Sequence, residues 1–124
     1  MYLRRTGLHV VAVQLALDTD GLVYRKWGDT QMGKRGDWLV DQAGETYTVD
    51  RETFQRTYRR VSLGVYAKVS PVWAEKTDRA GAISTKEGVS HYKAGAVLVY
   101  NDINGEDGYV VDAATFERLY EAAE

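Results

Sequence analysis

The stretch GDWLVDQAGETYTVDRETFQRTY, residues 36–58, recurs in altered form as GAVLVYNDINGEDGYVVDAATFERLY, residues 95–120. The pairs of like residues are Gly36 and Gly95, Gly44 and Gly105, Tyr47 and Tyr109, Asp50 and Asp112, Phe54 and Phe116, and Tyr58 and Tyr120. Similar patterns fold into similar units, so this repeat predicts the architecture of the whole chain. We expect two tandem units, residues 1–62 and 63–124.

Each copy predicts a hairpin followed by a helix. Runs of β-branched and aromatic residues flank a glycine-containing turn, which is typical of two antiparallel strands. Asp50 then stands at a helix N-cap, and Phe54 and Tyr58 share one helix face because they are four residues apart. The same order in the second copy predicts helices over about residues 51–60 and 113–122. Helices this short need a sheet to pack on.

Residues outside the repeated stretch predict further short strands. Apolar runs lie at Val10–Leu17 and Leu22–Tyr24 in the first half and at Val65–Trp73 in the second, where Pro71 interrupts the run. The polar segment Gly28–Gly36 predicts a loop. The predicted fold class is therefore α+β. We expect two tandem β-rich units of short antiparallel strands, forming a small sheet or a partly open barrel, each ending in a short helix, with pseudo-twofold packing.

The composition narrows the chemistry. The 124 residues include no cysteine and two histidines, and they carry a net charge of −2. Disulfides and thiolate chemistry are therefore excluded, and a histidine-rich metal site is not expected. The first half has 10 Lys and Arg against 8 Asp and Glu, a charge of +2, and the second half has 6 against 10, a charge of −4. The net charge predicts neither a general nucleic-acid binder nor an acidic tail. The mild asymmetry between the halves is explained by drift between the copies, and the weaker alternative is a complementary contact between the halves or between two copies of the chain.

The amino-terminal sequence resembles a signal peptide only superficially. Two arginines precede an apolar run over residues 8–17, but the run contains His9 and Gln14 and no small-residue cleavage site follows cleanly. The run is also too short to span a bilayer. We expect a buried strand here, and a cytoplasmic protein that does not contact a membrane.

The first copy resembles the PGDYG-motif family, which consists of small bacterial and phage proteins. The family pattern is Pro-Gly-Asp-aromatic-hydrophobic, a Gly-Glu turn, a Tyr-x-Val strand and a final Phe-x-x-x-Tyr. The matching residues are Gly36, Asp37, Trp38, Gly44, Glu45, Tyr47, Val49, Phe54 and Tyr58. Arg35 stands where the motif has proline. The second copy also resembles the family, from about Val72 to Glu121, but departs from the motif at Ala94, Ala96 and Val97, so the chain resembles two tandem copies. The resemblance implies kinship and a phage or mobile-element origin, but no activity.

Aromatic and cationic residues interleave in the first half. The candidate ligand- or partner-binding residues are Arg25, Lys26, Trp27, Lys34, Arg35, Asp37 and Trp38. Such a mixture can stack a base or hold a nucleotide, although Trp38 is also explained as a core residue of a sheet. Trp27 is the best single contact residue, because Glu87 holds the equivalent place in Lys86-Glu87-Gly88 and the fold does not need a tryptophan there.

These features predict a non-enzymatic binding or interaction module whose partner is another protein or a second copy of the chain. The alternative is a nucleotide or nucleic-acid binder that uses the aromatic and basic surface of the first unit. No catalytic set, metal site or cofactor is predicted. Two hypotheses stay open: His91 with Glu75 as an acid–base pair, and the acidic loop Asn101–Gly108 as a cation site.

Overall fold

The computed structural model describes residues 1–16, 21–26 and 29–123, and among these the chain is mainly β with two helices. The elements of the first half are β1 (Tyr2–Arg4), β2 (Val10–Gln14), β3 (Gly21–Lys26), β4 (Asp29–Lys34), β5 (Trp38–Gln42), β6 (Glu45–Val49), α1 (Arg51–Thr57) and β7 (Tyr58–Ser62). Those of the second half are β8 (Val65–Lys68), β9 (Trp73–Lys76), β10 (Gly81–Thr85), β11 (Gly88–Tyr92), β12 (Val97–Tyr100), β13 (Gly108–Val111), α2 (Ala113–Leu119) and β14 (Tyr120–Ala122).

The described strands form several small antiparallel sheets. The sheet orders are β6-β5-β2-β8-β7, β13-β12-β9, β10-β11-β4-β3 and β1-β14. The predicted hairpins of the repeat are confirmed as β5–β6 and β12–β13. A bridge between Tyr2 and Val72 brings β1 and β14 alongside the three-stranded sheet.

The first strand of each half pairs with the other half. β1 pairs with β14, where Arg4 lies opposite Tyr120, and β8 pairs with both β2 and β7, where Lys68 lies opposite Tyr58. The three residues of β1 carry no pattern that predicts a strand, because their partner lies at the far end of the chain. Only the tertiary structure brings the two ends together.

Both predicted helix starts are confirmed by their caps. The Asp50 carboxylate accepts a hydrogen bond from the Thr53 amide at 3.2 Å. The Asp112 carboxylate accepts one from the Thr115 amide at 2.7 Å. Such a bond satisfies one of the free amides of the first helical turn.

Both helices end earlier than predicted. α1 ends at Thr57 and α2 at Leu119, and a strand begins at the next residue in each case. Tyr58 and Tyr120 still donate their amides to the helix but have extended backbone angles. Tyrosine has high β propensity, and pairing with β8 and β1 outweighs one more helical turn. The prediction that the helices reach residues 60 and 122 was therefore wrong.

The predicted loop Gly28–Gly36 is also corrected. Residues 29–34 form strand β4, which pairs with β3 along its whole length. At its other side β4 meets β11, where Gln31 lies opposite Gly88 and Met32 donates its amide to the Glu87 carbonyl at 2.8 Å. Hairpin pairing thus overrides the polar, glycine-containing sequence. Gly28 itself lies outside the described residues.

The apolar core consists of two clusters. The first contains Val10, Ala12, Val40 and Phe54, with Trp38 packed against it. The buried members of the second are Val72, Val97, Val99, Leu119 and Tyr120. Each cluster lies between a sheet and one helix, as expected for helices too short to stand alone.

A set of polar side chains from both halves forms a buried cluster, which we call the tyrosine–cation cluster. Its members are Arg4, Gln42, Tyr47, Tyr58, Lys68, Tyr109 and Tyr120. The Tyr109 and Tyr120 hydroxyls are 2.7 Å apart, and Lys68 Nζ lies 3.0 Å from the first and 3.3 Å from the second. Arg4 donates to the Tyr120 hydroxyl at 3.0 Å and to the Gln42 amide oxygen at 2.8 Å. Buried cations need such acceptors, since an unpaired buried charge is strongly unfavourable.

Candidate charged cavity

A cavity of about 500 Å³ lies where α1 begins, close to the end of β4. We call it the charged cavity, and every residue that lines it carries a charge: Lys34, Arg35, Asp37, Asp50, Arg51, Glu52 and Lys86. Lys86 comes from the turn between β10 and β11, so residues from both halves contribute. The cavity is a depression that is wide open to solvent, and its lining is far more polar than that of a usual ligand pocket.

The second copy of the repeat has small residues where the first copy supplies this charge. Ala94 corresponds to Arg35, and Ala96 corresponds to Asp37. Likewise, the residues after the cap Asp112 are Ala113 and Ala114, where the first copy has Arg51 and Glu52. The turn before the hairpin forms in both copies, since Asp37 donates its amide to the Lys34 carbonyl and Ala96 donates its amide to the Lys93 carbonyl. The second copy therefore folds without charges at the positions of Arg35, Arg51 and Glu52, whereas Asp37 is buried and has a structural role in the first copy.

Asp37 is the buried member of the charged cavity, with 1% of its surface exposed. Its carboxylate accepts from the Lys34 amide at 2.8 Å, the Lys34 ammonium at 3.1 Å and the Arg51 amide at 3.0 Å. It thus connects the end of β4 to the first residue of α1. Asp37 is a positioning residue that fixes the wall of the cavity.

Replacing Asp37 by alanine is expected to lower the unfolding free energy by about 1–3 kcal/mol, because two backbone amides lose their acceptor. Asp37→Asn is the matched control and should cost less, since its amide oxygen still accepts one of these bonds. Urea unfolding followed by circular dichroism measures both. Equal stability of Asp37→Ala and the unsubstituted protein would contradict the role given to Asp37.

The two lysines of the charged cavity are held by carboxylates. Lys34 Nζ lies 3.1 Å from Asp37 and 3.4 Å from Asp50. Lys86 Nζ lies 3.3 Å from Asp50 and 3.7 Å from Asp107, which also pairs with Arg56 at 3.2 Å. The walls of the cavity therefore carry a network of ion pairs in which positive and negative side chains alternate.

Glu87, next to Lys86, adds a carboxyl group in an unusual state. Burial raises the pKa of Glu87 to about 7; Lys34 opposes this rise, and the carboxylates of Asp107, Asp37 and Asp50 add to it. Its Oε2 atom is buried without a hydrogen-bond partner. A carboxyl with a strongly perturbed pKa beside a cavity marks a candidate functional site. Sequence reasoning used Glu87 only as the counterpart of Trp27 and missed this property, which depends on burial.

The structure brings together three of the predicted site residues, Lys34, Arg35 and Asp37, around the charged cavity. Lys26 pairs instead with Glu45, at 2.9 Å, and Arg25 is exposed on β3. Trp27 lies outside the described residues. The predicted set missed four residues that line the cavity, namely Asp50, Arg51, Glu52 and Lys86. The alanine counterparts of Arg51 and Glu52 are the sequence signal that would have found two of them.

Trp38, also in the predicted set, packs in the core of the first half. Its ring stacks on Phe54 with centroids 4.2 Å apart and meets the edge of Tyr66 at 5.2 Å. These contacts account for Trp38 through packing, the second of the two explanations drawn from the sequence.

His91 and the acidic loop Asn101–Gly108 have partners other than those that the two open hypotheses require. His91 Nδ1 lies 2.8 Å from Asp29, while Glu75 lies in another sheet, opposite Leu98. The Asp102 carboxylate accepts backbone amides of its own loop. Among the described residues, no group of three or more His, Cys, Asp or Glu is arranged to hold a metal ion.

Compared with protein-family models, with curated proteins and with solved structures, the chain gives no match in any of the three. Both described helices have seven residues and cannot cross a bilayer.

Proposed function

We propose that the chain is a non-enzymatic binding module that contacts a protein partner through the charged cavity. The observation that carries this proposal is that three charged residues of this cavity, Arg35, Arg51 and Glu52, stand where the second copy has Ala94, Ala113 and Ala114. Charges that the fold can do without are available for recognition, where complementary charge supplies specificity.

The alternation of charge favours a polypeptide partner over a polyphosphate. A phosphate that approached Lys34 or Lys86 would also meet Asp50, whose oxygens lie 3.4 Å and 3.3 Å from the two ammonium groups. Like charges at such distances repel. A protein segment with both acidic and basic side chains can pair with both signs. The partner is a second protein or another copy of this chain.

The alternative function is nucleotide or nucleic-acid binding. Four cations of the charged cavity favour it: Lys34, Arg35, Arg51 and Lys86. In this case Trp27, Arg25 and Lys26 would extend the contact surface along the first half, and salt would weaken the binding.

We further infer that the module consists of two tandem units, residues 1–62 and 63–124, packed with a pseudo-twofold relation. The strand pairing supports this arrangement. The first strand of each half pairs with the last strand of the other half, β1 with β14 and β8 with β7. The resemblance to the PGDYG-motif family adds a phage or mobile-element origin to this proposal, and we also infer a cytoplasmic location.

The double variant Arg35→Ala/Arg51→Ala tests the function, because the chain itself has alanine at both corresponding positions. We expect the protein to bind some members of an array of mixed-charge peptides and the variant to bind them at least about tenfold more weakly, a loss of about 1.4 kcal/mol. The matched control is Arg59→Ala/Arg60→Ala, which removes two exposed arginines of β7 that do not line the cavity.

Nucleotides decide between the two functions in the same experiment. Quenching of tryptophan fluorescence by a nucleotide panel, weakened by salt and lost in Trp27→Ala, would establish the alternative. Equal peptide binding by the cavity variant and the β7 control would overturn the protein-partner proposal. If the unsubstituted protein dimerises and the Arg35→Ala/Arg51→Ala variant dimerises equally well, the charged cavity is not the surface of self-association.

A further inference from the structure

A second pocket, of about 270 Å³, lies beside α2. We call it the aromatic pocket. Two of its lining residues are Tyr2 and Phe116, whose rings meet edge to face with centroids 5.0 Å apart and planes at 79°. Ala74 and Val97 also line it. It shares no lining residue with the charged cavity.

The first half contains the same aromatic frame. Tyr66 and Phe54 meet edge to face, with centroids 5.1 Å apart and planes at 70°. Tyr66 lies opposite Val10 of β2, just as Tyr2 lies opposite Val72 before β9. The chain therefore contains the same edge-to-face pair of a tyrosine and a phenylalanine once in each half.

In the first half an indole fills the frame. The Trp38 ring stacks on Phe54, with planes at 12°, and meets the edge of Tyr66. Trp38 lies between Gln14 and Val49 on the neighbouring strands. These contacts define what kind of group the frame accepts.

In the second half valine stands at the corresponding position. Val97 lies between Lys76 and Val111, as Trp38 lies between Gln14 and Val49. Valine has no ring to place against Phe116. The space that the indole fills in the first half is therefore open in the second half, as the aromatic pocket.

We propose that the aromatic pocket binds the side chain of a tryptophan presented by a partner polypeptide. Its volume of about 270 Å³ suits one side chain, since pockets for whole ligands hold roughly 300–1,000 Å³. Aromatic rings offset or edge to face provide attraction beyond burial alone. Lys76 and Glu117 also line the pocket and supply polar groups for the backbone of such a segment. Tryptophan anchors of this kind dominate many interfaces.

The test uses N-acetyl-tryptophanamide as the probe, because it carries the side chain between two peptide-like groups. Burial of one ring gives affinity in about the millimolar range, so amide resonances are followed by NMR during a titration. We expect saturable shifts at Ala74, Val97 and Ala113. N-acetyl-leucinamide is the aliphatic control and should bind at least about fivefold more weakly.

Filling the pocket from inside provides the decisive variant. Val97→Trp reproduces the residue of the first half and should weaken probe binding at least about tenfold. Val11→Trp, at a site 60% exposed on β2, adds a tryptophan elsewhere and should leave binding unchanged. If Val97→Trp does not fold, Ala113→Leu on the exposed first turn of α2 narrows the pocket and should weaken binding as well.

Three results would overturn the proposal. The first is the absence of saturable shifts at the pocket residues. The second is undiminished binding by folded Val97→Trp or Ala113→Leu. The third is binding of free indole without binding of N-acetyl-tryptophanamide, which would make the pocket a small-molecule site. None of these outcomes depends on the charged cavity.

Discussion

Phe54→Ala is expected to lower the unfolding free energy by about 3–5 kcal/mol, the range found when a large buried ring is removed. Phe54 is 2% exposed. Its ring stacks on Trp38 at 4.2 Å and on Tyr58 at 4.5 Å, and meets the edge of Tyr66 at 5.1 Å. The variant would leave a cavity that these three rings cannot close. Urea unfolding followed by fluorescence measures the loss.

Phe116→Ala is the matched control, because the repeat places the two phenylalanines at corresponding positions. Phe116 is only partly buried, touches Tyr2 and Tyr120, and borders the open aromatic pocket. We expect a loss of no more than about 2 kcal/mol, since less apolar surface returns to water. Equal losses for the two variants would contradict the difference in packing described above.

The unfolding free energy is expected to rise by about 1 kcal/mol between pH 7 and pH 9, because Tyr120 ionises earlier in the folded chain than in the unfolded one. Burial alone would raise the pKa of Tyr120, but Lys68 and Arg4 outweigh burial and lower it from 10 to about 8. Since the folded pKa is the lower one, the stabilisation is complete above the unfolded pKa and is lost as the pH falls through the folded pKa.

Two measurements check this pH dependence. Urea unfolding at a series of pH values gives the rise, and the ultraviolet absorbance of tyrosinate gives the pKa of about 8 directly. Tyr120→Phe should abolish both signals, whereas Tyr92→Phe, a change in the β10–β11 hairpin, should preserve them. A folded protein without tyrosinate at pH 9 would show that the cations do not ionise Tyr120.

The pKa values of two tyrosines next to Tyr120 are shifted in the opposite direction. Burial raises the pKa of Tyr58, and burial together with the nearby Tyr120 raises the pKa of Tyr109. Both hydroxyls therefore stay protonated in the folded chain when their unfolded counterparts ionise. Above the ordinary tyrosine pKa of about 10 the stability should fall again, so the profile has a maximum.

The repeat in the sequence predicted the local structure well where short-range chemistry decides it. Asp50 and Asp112 cap the helices because a carboxylate three residues ahead reaches a free amide. The strands on either side of Gly44 pair because the turn between them is short. These features depend on neighbours along the chain, so a single sequence contains them.

The charged cavity was predicted only in part. Lys34 and Arg35 were selected as site residues because cations interleave with aromatic residues in the first half, and Asp37 was selected because the second copy has Ala96 in its place. Lys86 and the buried carboxyl of Glu87 were not, because the contact of β4 with β11 brings them to the cavity from the other half. The spacing of residues within one segment of the sequence cannot predict that contact between two distant strands.

By itself the sequence determined the two hairpins, the two capped helices and the positions at which the copies differ. Only the tertiary structure decided where those differences lie in space. The pairing of β1 with β14 and of β8 with β2 and β7 buries Arg4 and Lys68 among four tyrosines. The same pairing sets Tyr2 against Phe116, where the small side chain of Val97 leaves a pocket. The physical reason is that both features need strands from distant parts of the chain, and close packing is a property of three dimensions.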